Sequence, residues 1–205
     1  MYIPSIYKNE NLEEVKEFIK QYGFGILISQ VSGRPEGTHI PLQLEVDNNG
    51  NDILTGHISK SNPQWKNFNN TSEVLVIFNG PHSYVSSSWY EKEDAPTWNY
   101  MAVHVYGSIS IIQGDALKNV LRKLVDTYEA ASKCPVSVNS MSQETMEQIH
   151  GVVGFQIRIN EIQAAYKLSQ NKSEKDHNSI VKELENKDDY GAIKIAEEMS
   201  FRKSE

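Results

Sequence analysis

The sequence predicts a mainly β protein in which an antiparallel barrel carries attached helices. From residue 24 to about residue 112, short apolar or alternating segments are separated by turn residues, which is typical of antiparallel β structure. Helical spacing occurs before this region, between its late strands and at the C-terminal end. The pattern lacks the long strands alternating with helices that characterise a doubly wound fold.

The first predicted element is an amphipathic helix that begins after Asn11. Asn11 is a favourable N-cap, and Glu14 stands where the side chain of a capping box reaches back. Apolar residues then recur at helical spacing, namely Leu12, Val15, Phe18 and Ile19. Gly23 is a natural C-terminal stop, and the apolar, β-rich residues 24–30 predict the first strand.

Residues 40–59 predict a β-hairpin. In residues 40–46 apolar and polar side chains alternate, as expected of a half-buried strand. Because Pro41 lacks an N–H group, we expect this strand to lie at an edge or to begin at a bulge. Residues 48–51 predict the turn, and residues 52–59 predict the returning strand.

Three further strands are predicted between residues 74 and 112. Residues 74–78 are continuously apolar, which indicates a strand buried on both faces. Asn79, Gly80 and Pro81 are turn formers, so we expect the chain to turn there. Residues 84–89 and 97–112 then predict the next strands.

Helices flank a last strand in the remainder of the chain. Asp115 is expected to cap a helix, and Ser140 with Gln143 has capping-box spacing before a short helix that ends at Gly151. Residues 152–159 predict the last strand, and the charged tail after it contains two short apolar stripes. We therefore expect a barrel domain over residues 1–171. A helical C-terminal extension over residues 172–205 would pack on the barrel or on a dimer partner.

Composition excludes several classes of protein. The 205 residues carry a net charge of −7 with a pI of about 5.4, which argues against broad non-specific binding to nucleic acid. The single cysteine, Cys134, excludes an internal disulfide and a four-cysteine zinc site. No basic segment followed by an apolar one opens the sequence, and its apolar runs are too short to cross a bilayer. We expect a soluble, cytoplasmic protein without membrane partners.

One candidate site lies at the end of the strand that contains residues 52–59. His57 and Ser59 share a face, Lys60 adds a positive charge, and Asn62 followed by Pro63 predicts a helix start. A strand end, a lysine, hydroxyl groups and a helix N-terminus together can cradle a phosphate group. A surface turn with a solvated lysine remains the alternative for this motif.

A second candidate is the aromatic face of residues 97–107. Alternate positions carry Trp98, Tyr100, Ala102, His104 and Tyr106, which share one face of a strand. They could line a site for a flat aromatic ligand, but the pattern alone favours a barrel wall or a dimer interface. Residues 166–171 could likewise close a ligand site or form the polar end of a strand.

Other catalytic and binding motifs are missing from the sequence. The hydroxyl-rich residues 80–90 lack a nucleophile elbow, and the histidines lack the close spacing of a metal site. There is no phosphate-binding loop of the nucleotide-binding types, and no basic recognition helix marks a helix-turn-helix. We therefore assign no metal ligand and no catalytic residue.

Taken together, seven stretches in order resemble the PaiB-like family of FMN-binding negative transcriptional regulators. Members of that family are also described as protease synthase and sporulation negative regulatory proteins. The match is strongest over residues 1–171, and it comprises residues 1–4, 39–42, 56–65, 78–90, 96–104, 154–155 and 167–171.

This resemblance implies an antiparallel split β-barrel of the FMN-binding type, similar to that of pyridoxamine phosphate oxidases, with FMN in the groove of a homodimer. By this likeness His57, Ser59 and Lys60 would hold the phosphate group, and Trp98 and Asn99 would lie beside the flavin ring. Near the phosphate the sequence offers fewer arginines than those oxidases use. The full cofactor-binding set that we predict is His57, Ser59, Lys60, Asn62, Gln64, Trp98, Asn99, Ser169 and Gln170.

The sequence is compatible with three functions. The resemblance implies an FMN-binding negative transcriptional regulator that acts directly on DNA or through a partner, although the charge does not support direct DNA binding. The alternative is an enzyme, either a flavin-dependent oxidoreductase or a haem-binding or haem-degrading split barrel, with His57, His82 or His104 as the axial haem ligand. The third possible function is that of a dimeric scaffold, in which the aromatic face forms only the dimer interface.

Overall fold

The computed structural model describes residues 1–69 and 72–203, which form six strands and five α-helices joined by short 3-10 turns. The strands are β1 (Phe24–Val31), β2 (Arg34–Val46), β3 (Asp52–Ser59), β4 (Glu73–Val85), β5 (Thr97–Ile112) and β6 (Val152–Lys167). The helices are α1 (Leu12–Gln21), α2 (Gly114–Glu129), α3 (Gln143–Glu147), α4 (Glu174–Glu185) and α5 (Tyr190–Lys203).

The strands form a closed barrel in the order β1-β2-β3-β6-β5-β4. β1 pairs antiparallel with β2 and β4, and β3 pairs antiparallel with β2 and β6. This architecture confirms the predicted antiparallel barrel with attached helices. No helix within the described residues is long and apolar enough to cross a membrane.

The chain divides into two compact units. One unit contains Met1–Phe18, Asn79–Val103 and Gln163–Glu205, and the other contains Ile19–Phe78 and His104–Ile162. The C-terminal helices α4 and α5 therefore belong to the same unit as the N-terminal residues. We call these the terminal unit and the central unit.

In the central unit, β2 is longer than predicted and changes its partner at Pro41. Residues 34–41 pair with β1, whereas residues 42–46 pair with β3. Pro41 is thus the last residue of β2 that pairs with β1, and the pairing with β3 begins at the next residue. Because Pro41 lies at this change of partner, β2 can contain a proline without lying at the edge of the sheet. The expectation of an edge strand or a bulged start was wrong. The hairpin between β2 and β3 is confirmed, with Gly50 at a φ of 83° in its turn.

The predicted chain reversal at residues 79–81 was also wrong, because β4 runs through it without a break. Gly80 is needed there for close packing rather than for a turn. A Cβ atom at Gly80 would lie 2.6 Å from Cε2 of the Phe18 ring, in the terminal unit. Residues 74–78 are not buried on both faces either, since buried and partly exposed side chains alternate along the strand.

Helix α2 begins one residue earlier than the predicted cap. Gln113 is the N-cap residue, and Gly114 adopts a φ of 61°, so Asp115 lies inside the first turn. The helix lies against the β2–β3 hairpin. Lys123 forms an ion pair with Glu45 at 2.5 Å, and the Gln43 side chain donates a hydrogen bond to the Thr127 hydroxyl at 3.0 Å.

The caps of the short helices follow the sequence more closely. Asn11 accepts a hydrogen bond from the Glu14 N–H at 3.3 Å, and Ser173 accepts one from the Asp176 N–H at 3.1 Å. For α3 the cap is Ser142, which accepts from the Thr145 N–H at 3.2 Å, and not the predicted Ser140. β5 has the predicted bounds, whereas β6 continues well beyond residue 159.

The terminal unit has its own core, to which both tail helices contribute. α4 buries Ile180 and Leu184, and α5 buries an apolar stripe that consists of Ala192, Ile195, Ala196 and Met199. Near the end of α5, Arg202 forms an ion pair with Glu14 of α1, and its guanidinium lies 4.8 Å from the centre of the Tyr166 ring. The two predicted tail helices are therefore present, and both bury apolar side chains.

We predict that Gly80→Ala destabilises the protein by about 1–3 kcal/mol, because the added methyl group must displace the buried Phe18 ring. The measurement is the free energy of unfolding in urea. Gly151→Ala is the matched control, since a Cβ atom at Gly151 would meet no atom of the described residues within 4 Å. Equal stability of the two variants would contradict the packing role of Gly80.

Candidate functional site

The backbone of Lys60 is fixed at the end of β3 by two contacts within the central unit. Its N–H donates to the carbonyl oxygen of Gly151 at 2.8 Å, and its own carbonyl accepts from the Trp65 indole N–H at 2.9 Å. The side chain is exposed, and no carboxylate of the residues described by the structure forms an ion pair with it. The backbone of Lys60 is therefore held in place, and its exposed side chain is available to an anion near this strand end.

A cavity of about 290 Å³ adjoins Lys60 in the central unit. Trp65, the start of α2 and the residues that lead into β6 form its other walls. The lining consists of Lys60, Trp65, Ile111, Ile112, Gln113, Gly114, Leu117, Ile149, His150, Val152, Val153 and Gly154. The wall is thus mainly apolar, with one lysine, one histidine and one amide side chain among its polar groups.

His57 and Ser59 lie on the same strand as this site. His57 is half-buried, and burial lowers the pKa of its imidazole, so the ring is neutral near pH 7. Its Nδ1 atom is buried, and it has no hydrogen-bond partner among residues 1–69 and 72–203. The Ser59 hydroxyl is exposed and accepts a weak hydrogen bond from the Ser61 N–H at 3.3 Å.

Asn62 caps the 3-10 turn that follows Lys60. Its side-chain oxygen accepts from the Gln64 N–H at 3.0 Å, and its amide donates to the Thr38 hydroxyl at 2.9 Å. The Gln64 N–H group at the start of this turn is therefore already satisfied by the protein. A phosphate at this strand end would depend on Lys60 and Ser59 more than on the helix start that the sequence suggests.

Gln64 is fully buried at the centre of a hydrogen-bond network within the central unit. Its amide nitrogen donates to the carbonyl oxygens of Leu27 and Glu36, at 3.3 and 3.1 Å, and to the Ser29 hydroxyl at 2.9 Å. Its amide oxygen accepts from the Thr38 hydroxyl at 2.7 Å. These contacts give Gln64 a structural role in joining the 3-10 turn to β1 and β2.

The other predicted site residues lie in the terminal unit. Trp98 is 54% exposed, and its indole packs beside the rings of His82 and Tyr84, with centroids 6.1 and 5.9 Å away. Asn99, the next residue of β5, is fully buried. The side chains of Trp98 and Asn99 therefore have opposite environments, and the indole alone of the two is open to a ligand.

The structure brings Asn99 together with Ser169. The Ser169 hydroxyl donates to the Asn99 amide oxygen at 3.0 Å, and the Asn99 amide donates to the Met199 sulfur at 3.4 Å. Gln170 accepts from the Leu168 N–H at 2.8 Å and donates to the Tyr166 carbonyl at 2.5 Å. The predicted residues Asn99, Ser169 and Gln170 thus hold the end of β6 and α5 in place.

The sequence did not single out the walls of the Lys60 cavity that come from other parts of the chain. Gln113 and His150 line it because α2 begins there and the 3-10 turn before β6 ends there. No spacing rule links these positions to Lys60, although Gly114 and Gly151 mark the two element ends. The described residues contain no group of three or more His, Cys, Asp or Glu side chains placed to hold a metal ion.

Comparison with known sequences gives a consistent family. Residues 1–161 match the family described as "putative FMN-binding domain". A Bacillus subtilis protein named protease synthase and sporulation protein PAI 2 is 41% identical over 200 residues, which span 97% of this chain and 96% of the relative. An uncharacterized protein of Emericella nidulans is 26% identical over an alignment of 228 positions, which covers 91% of each chain.

Comparison with solved structures supports the barrel architecture. The FAD and heme binding protein from Mycobacterium smegmatis matches with a TM-score of 0.63 and 14% identity, over 84% of this chain and 80% of that one. The flavocytochrome Anf3 from Azotobacter vinelandii matches with a TM-score of 0.60 and 16% identity, over 84% and 75%. At these identities the likeness concerns the fold, and it confirms the predicted split-barrel type.

We predict that Gln64→Leu lowers the free energy of unfolding by about 2–3 kcal/mol, because it leaves buried carbonyl and hydroxyl groups without their partner. Urea unfolding measures the change. Gln30→Leu makes the same substitution at an exposed position of β1 and should have little effect. A Gln64→Leu protein as stable as the control would refute the structural role.

We predict that stability falls as the pH is lowered, and that His57 contributes to the fall. Burial lowers the pKa of His57 in the folded state, whereas an unfolded histidine titrates near pH 6.5. Below about pH 6.5 the unfolded state therefore binds more protons than the folded state does. As a result, the free energy of unfolding falls as the pH is lowered through this range.

The measurement compares urea unfolding near pH 7.5 and 5.5, which are rough values on either side of the unfolded pKa. His57→Gln should lose less stability than the wild type over this interval. His39→Gln, at an exposed position, is the control. An unchanged pH dependence in His57→Gln would contradict this prediction.

Proposed function

Because this chain belongs to the family described as "putative FMN-binding domain", we propose that it binds FMN and that Lys60 contacts the phosphate group of the flavin. One observation carries the assignment. The ammonium group of Lys60 adjoins a cavity, and no carboxylate of the described residues neutralises it. A phosphate group is the anionic part of FMN, so it is the part that this lysine would attract.

The residues around Lys60 fit a phosphate and the polyol chain beside it. The fixed backbone of Lys60 limits where its side chain can reach, and the Ser59 hydroxyl can donate a hydrogen bond to an anion. His57 does not line the cavity, and its Nδ1 atom is buried, so the predicted contact of His57 with the phosphate is not part of this proposal. The apolar part of the cavity wall can pack against the non-polar part of a ligand whose anionic group contacts Lys60.

Contact of Trp98 with the flavin ring stays a prediction, which rests on the exposure of this side chain within the terminal unit. Its exposed indole offers a flat aromatic surface that can stack with a planar ring. Asn99 is buried and already hydrogen-bonded, so its part is to hold β5 and α5 rather than to touch the ring. FMN supplies redox chemistry when bound, and the protein supplies the orientation and the local electrostatics.

We propose a regulatory role for this FMN-binding chain, as the name of the Bacillus subtilis relative suggests. The protein would act as a cytoplasmic homodimer that represses genes, either directly or through a partner protein. Dimerisation would double the net charge of −7, which disfavours non-specific attraction to DNA. A partner protein, or a small local basic patch, is therefore the route that the charge favours.

We predict that Lys60→Ala weakens FMN binding more than tenfold, a loss of more than about 1.4 kcal/mol. The reason is that the variant removes the positive charge that would attract the phosphate, while the exposed position of Lys60 leaves the barrel intact. The measurement is a titration of the purified full-length protein with FMN, followed by the change in flavin absorbance. Haem is titrated separately, and a sharp haem band without any flavin change would favour the haem alternative.

Lys66→Ala is the matched control, since Lys66 is exposed on the neighbouring 3-10 turn and lies outside the lining of the cavity. Lys60→Arg should retain most of the affinity because it keeps the positive charge. Sedimentation of each variant checks that the oligomeric state is unchanged. An FMN affinity in Lys60→Ala equal to that of the control would overturn the phosphate assignment.

A further inference from the structure

Another cavity in the central unit, of about 220 Å³, lies between α2 and the segment that leads into β6. Its lining is mostly apolar and includes two methionines. The lining residues are Lys118, Leu121, Val125, Val138, Met141, Thr145, Met146, Gln148, Ile149 and Val152. None of the seven stretches that resemble the PaiB-like family and none of the predicted cofactor contacts falls among these residues.

Helix α2 presents two distinct apolar stripes. Leu117, Val120 and Leu124 are buried and form the core face of the helix. Lys118, Leu121 and Val125 follow one another at helical spacing on an adjacent face, and all three line the cavity. Leu121 and Val125 are only half-buried, whereas Leu117, Val120 and Leu124 are buried.

The facing wall is built from residues that pack only partly. Val138, Met141, Met146 and Ile149 are half-buried, and α3 with the 3-10 turns on either side of it contains no buried residue. These four apolar side chains line the cavity and are not part of the buried core. Methionine side chains are flexible and adapt to guests of different shape, so this wall suits a small apolar ligand.

Lys118 gives the cavity a positive charge at its solvent side. Its ammonium lies 3.6 Å from Asp115, but both side chains are largely exposed, so this pair is weak. The Gln148 side chain, with no hydrogen-bond partner among residues 1–69 and 72–203, is a second polar group. The Thr145 hydroxyl is already within hydrogen-bond distance of Ser142, at 3.0 Å.

We propose that this cavity binds a small apolar monocarboxylate, with the hydrocarbon part against Leu121, Val125 and the two methionines and the carboxylate at Lys118. The volume is below the roughly 300–1,000 Å³ of sites for drug-sized ligands, so the guest is a short acyl chain or a single aromatic ring. One cation beside an apolar wall matches one carboxylate on an apolar body. The cavity shares Ile149 and Val152 with the Lys60 cavity, but its cation is Lys118 and not Lys60.

Methionine methyl groups make the site directly observable. The chain has Met1, Met101, Met141, Met146 and Met199, of which two line the cavity. Full-length protein with 13C-labelled methionine methyl groups is titrated with octanoate and, separately, with 1-octanol. Octanoate should shift the Met141 and Met146 signals in a saturable way. The signals of Met101 and Met199, buried in the terminal unit, should stay in place.

Two variants separate the charge from the apolar wall. Lys118→Gln should weaken octanoate binding at least tenfold and leave 1-octanol binding unchanged. Lys66→Gln, with the same change of charge elsewhere in the unit, should alter neither. Val138→Phe fills the cavity from a 3-10 turn without buried residues and should abolish binding of both probes, while unchanged Met101 and Met199 signals report that it is folded.

The proposal fails if octanoate shifts all the methionine signals alike or none of them. It also fails if Lys118→Gln binds octanoate as well as Lys66→Gln does. Octanoate shifts that survive in a folded Val138→Phe protein would place the binding elsewhere and overturn it. Loss of FMN binding in Lys60→Ala bears on a different lysine, so the two proposals can fail separately.

Discussion

The antiparallel pairing of β3 with β6 is the constraint on which the rest of the central unit depends. It places His57 opposite Gly154 and Ser59 opposite Val152, and the hydrogen bond from Lys60 to the Gly151 carbonyl extends the ladder. A side chain at residue 154 would require Leu117 of α2 to shift, since a Cβ atom there would lie 2.6 Å from its side chain. The strand pair, the position of α2 and the Lys60 cavity therefore share Gly154.

The buried side-chain amides of Gln64 and Asn99 connect segments that are not joined by hydrogen bonds between strands. Gln64 joins its 3-10 turn to β1 and β2, and Asn99 joins β5 to Ser169 and Met199. A buried polar group is costly unless it is hydrogen-bonded, and both of these side chains are bonded. Ser169 has a φ of 60°, an unfavourable value for a residue with a side chain, and its hydrogen bond to Asn99 helps to hold it there.

The fold by itself does not choose a ligand. The solved structures that share this barrel are only 14% and 16% identical to the chain, and their names refer to FAD, heme and a flavocytochrome. We therefore infer ligands from the residues that line the cavities of the central unit. Lys60 adds a positive charge to one cavity, and Lys118 adds one to the other, whose remaining lining is mostly apolar.

The sequence by itself determined the class of fold, the helices α1, α4 and α5, the hairpin of β2 with β3, and the candidate lysine at residue 60. Those features depend on local periodicity, on caps and on turn residues, which act over a few positions. Gly80 shows the limit of that reasoning. Its sequence context indicates a turn, yet the packing of the Phe18 ring keeps β4 straight through it.

Only the tertiary structure decided which polar residues are free to bind a ligand. Lys60 and Gln64 stand four positions apart in one motif, yet one is exposed and unpaired within the described chain and the other is fully buried. The partners that make this difference, Ser29, Thr38 and the backbone of β1 and β2, come from distant segments. Burial and hydrogen bonding are set by such long-range contacts, which no local pattern encodes.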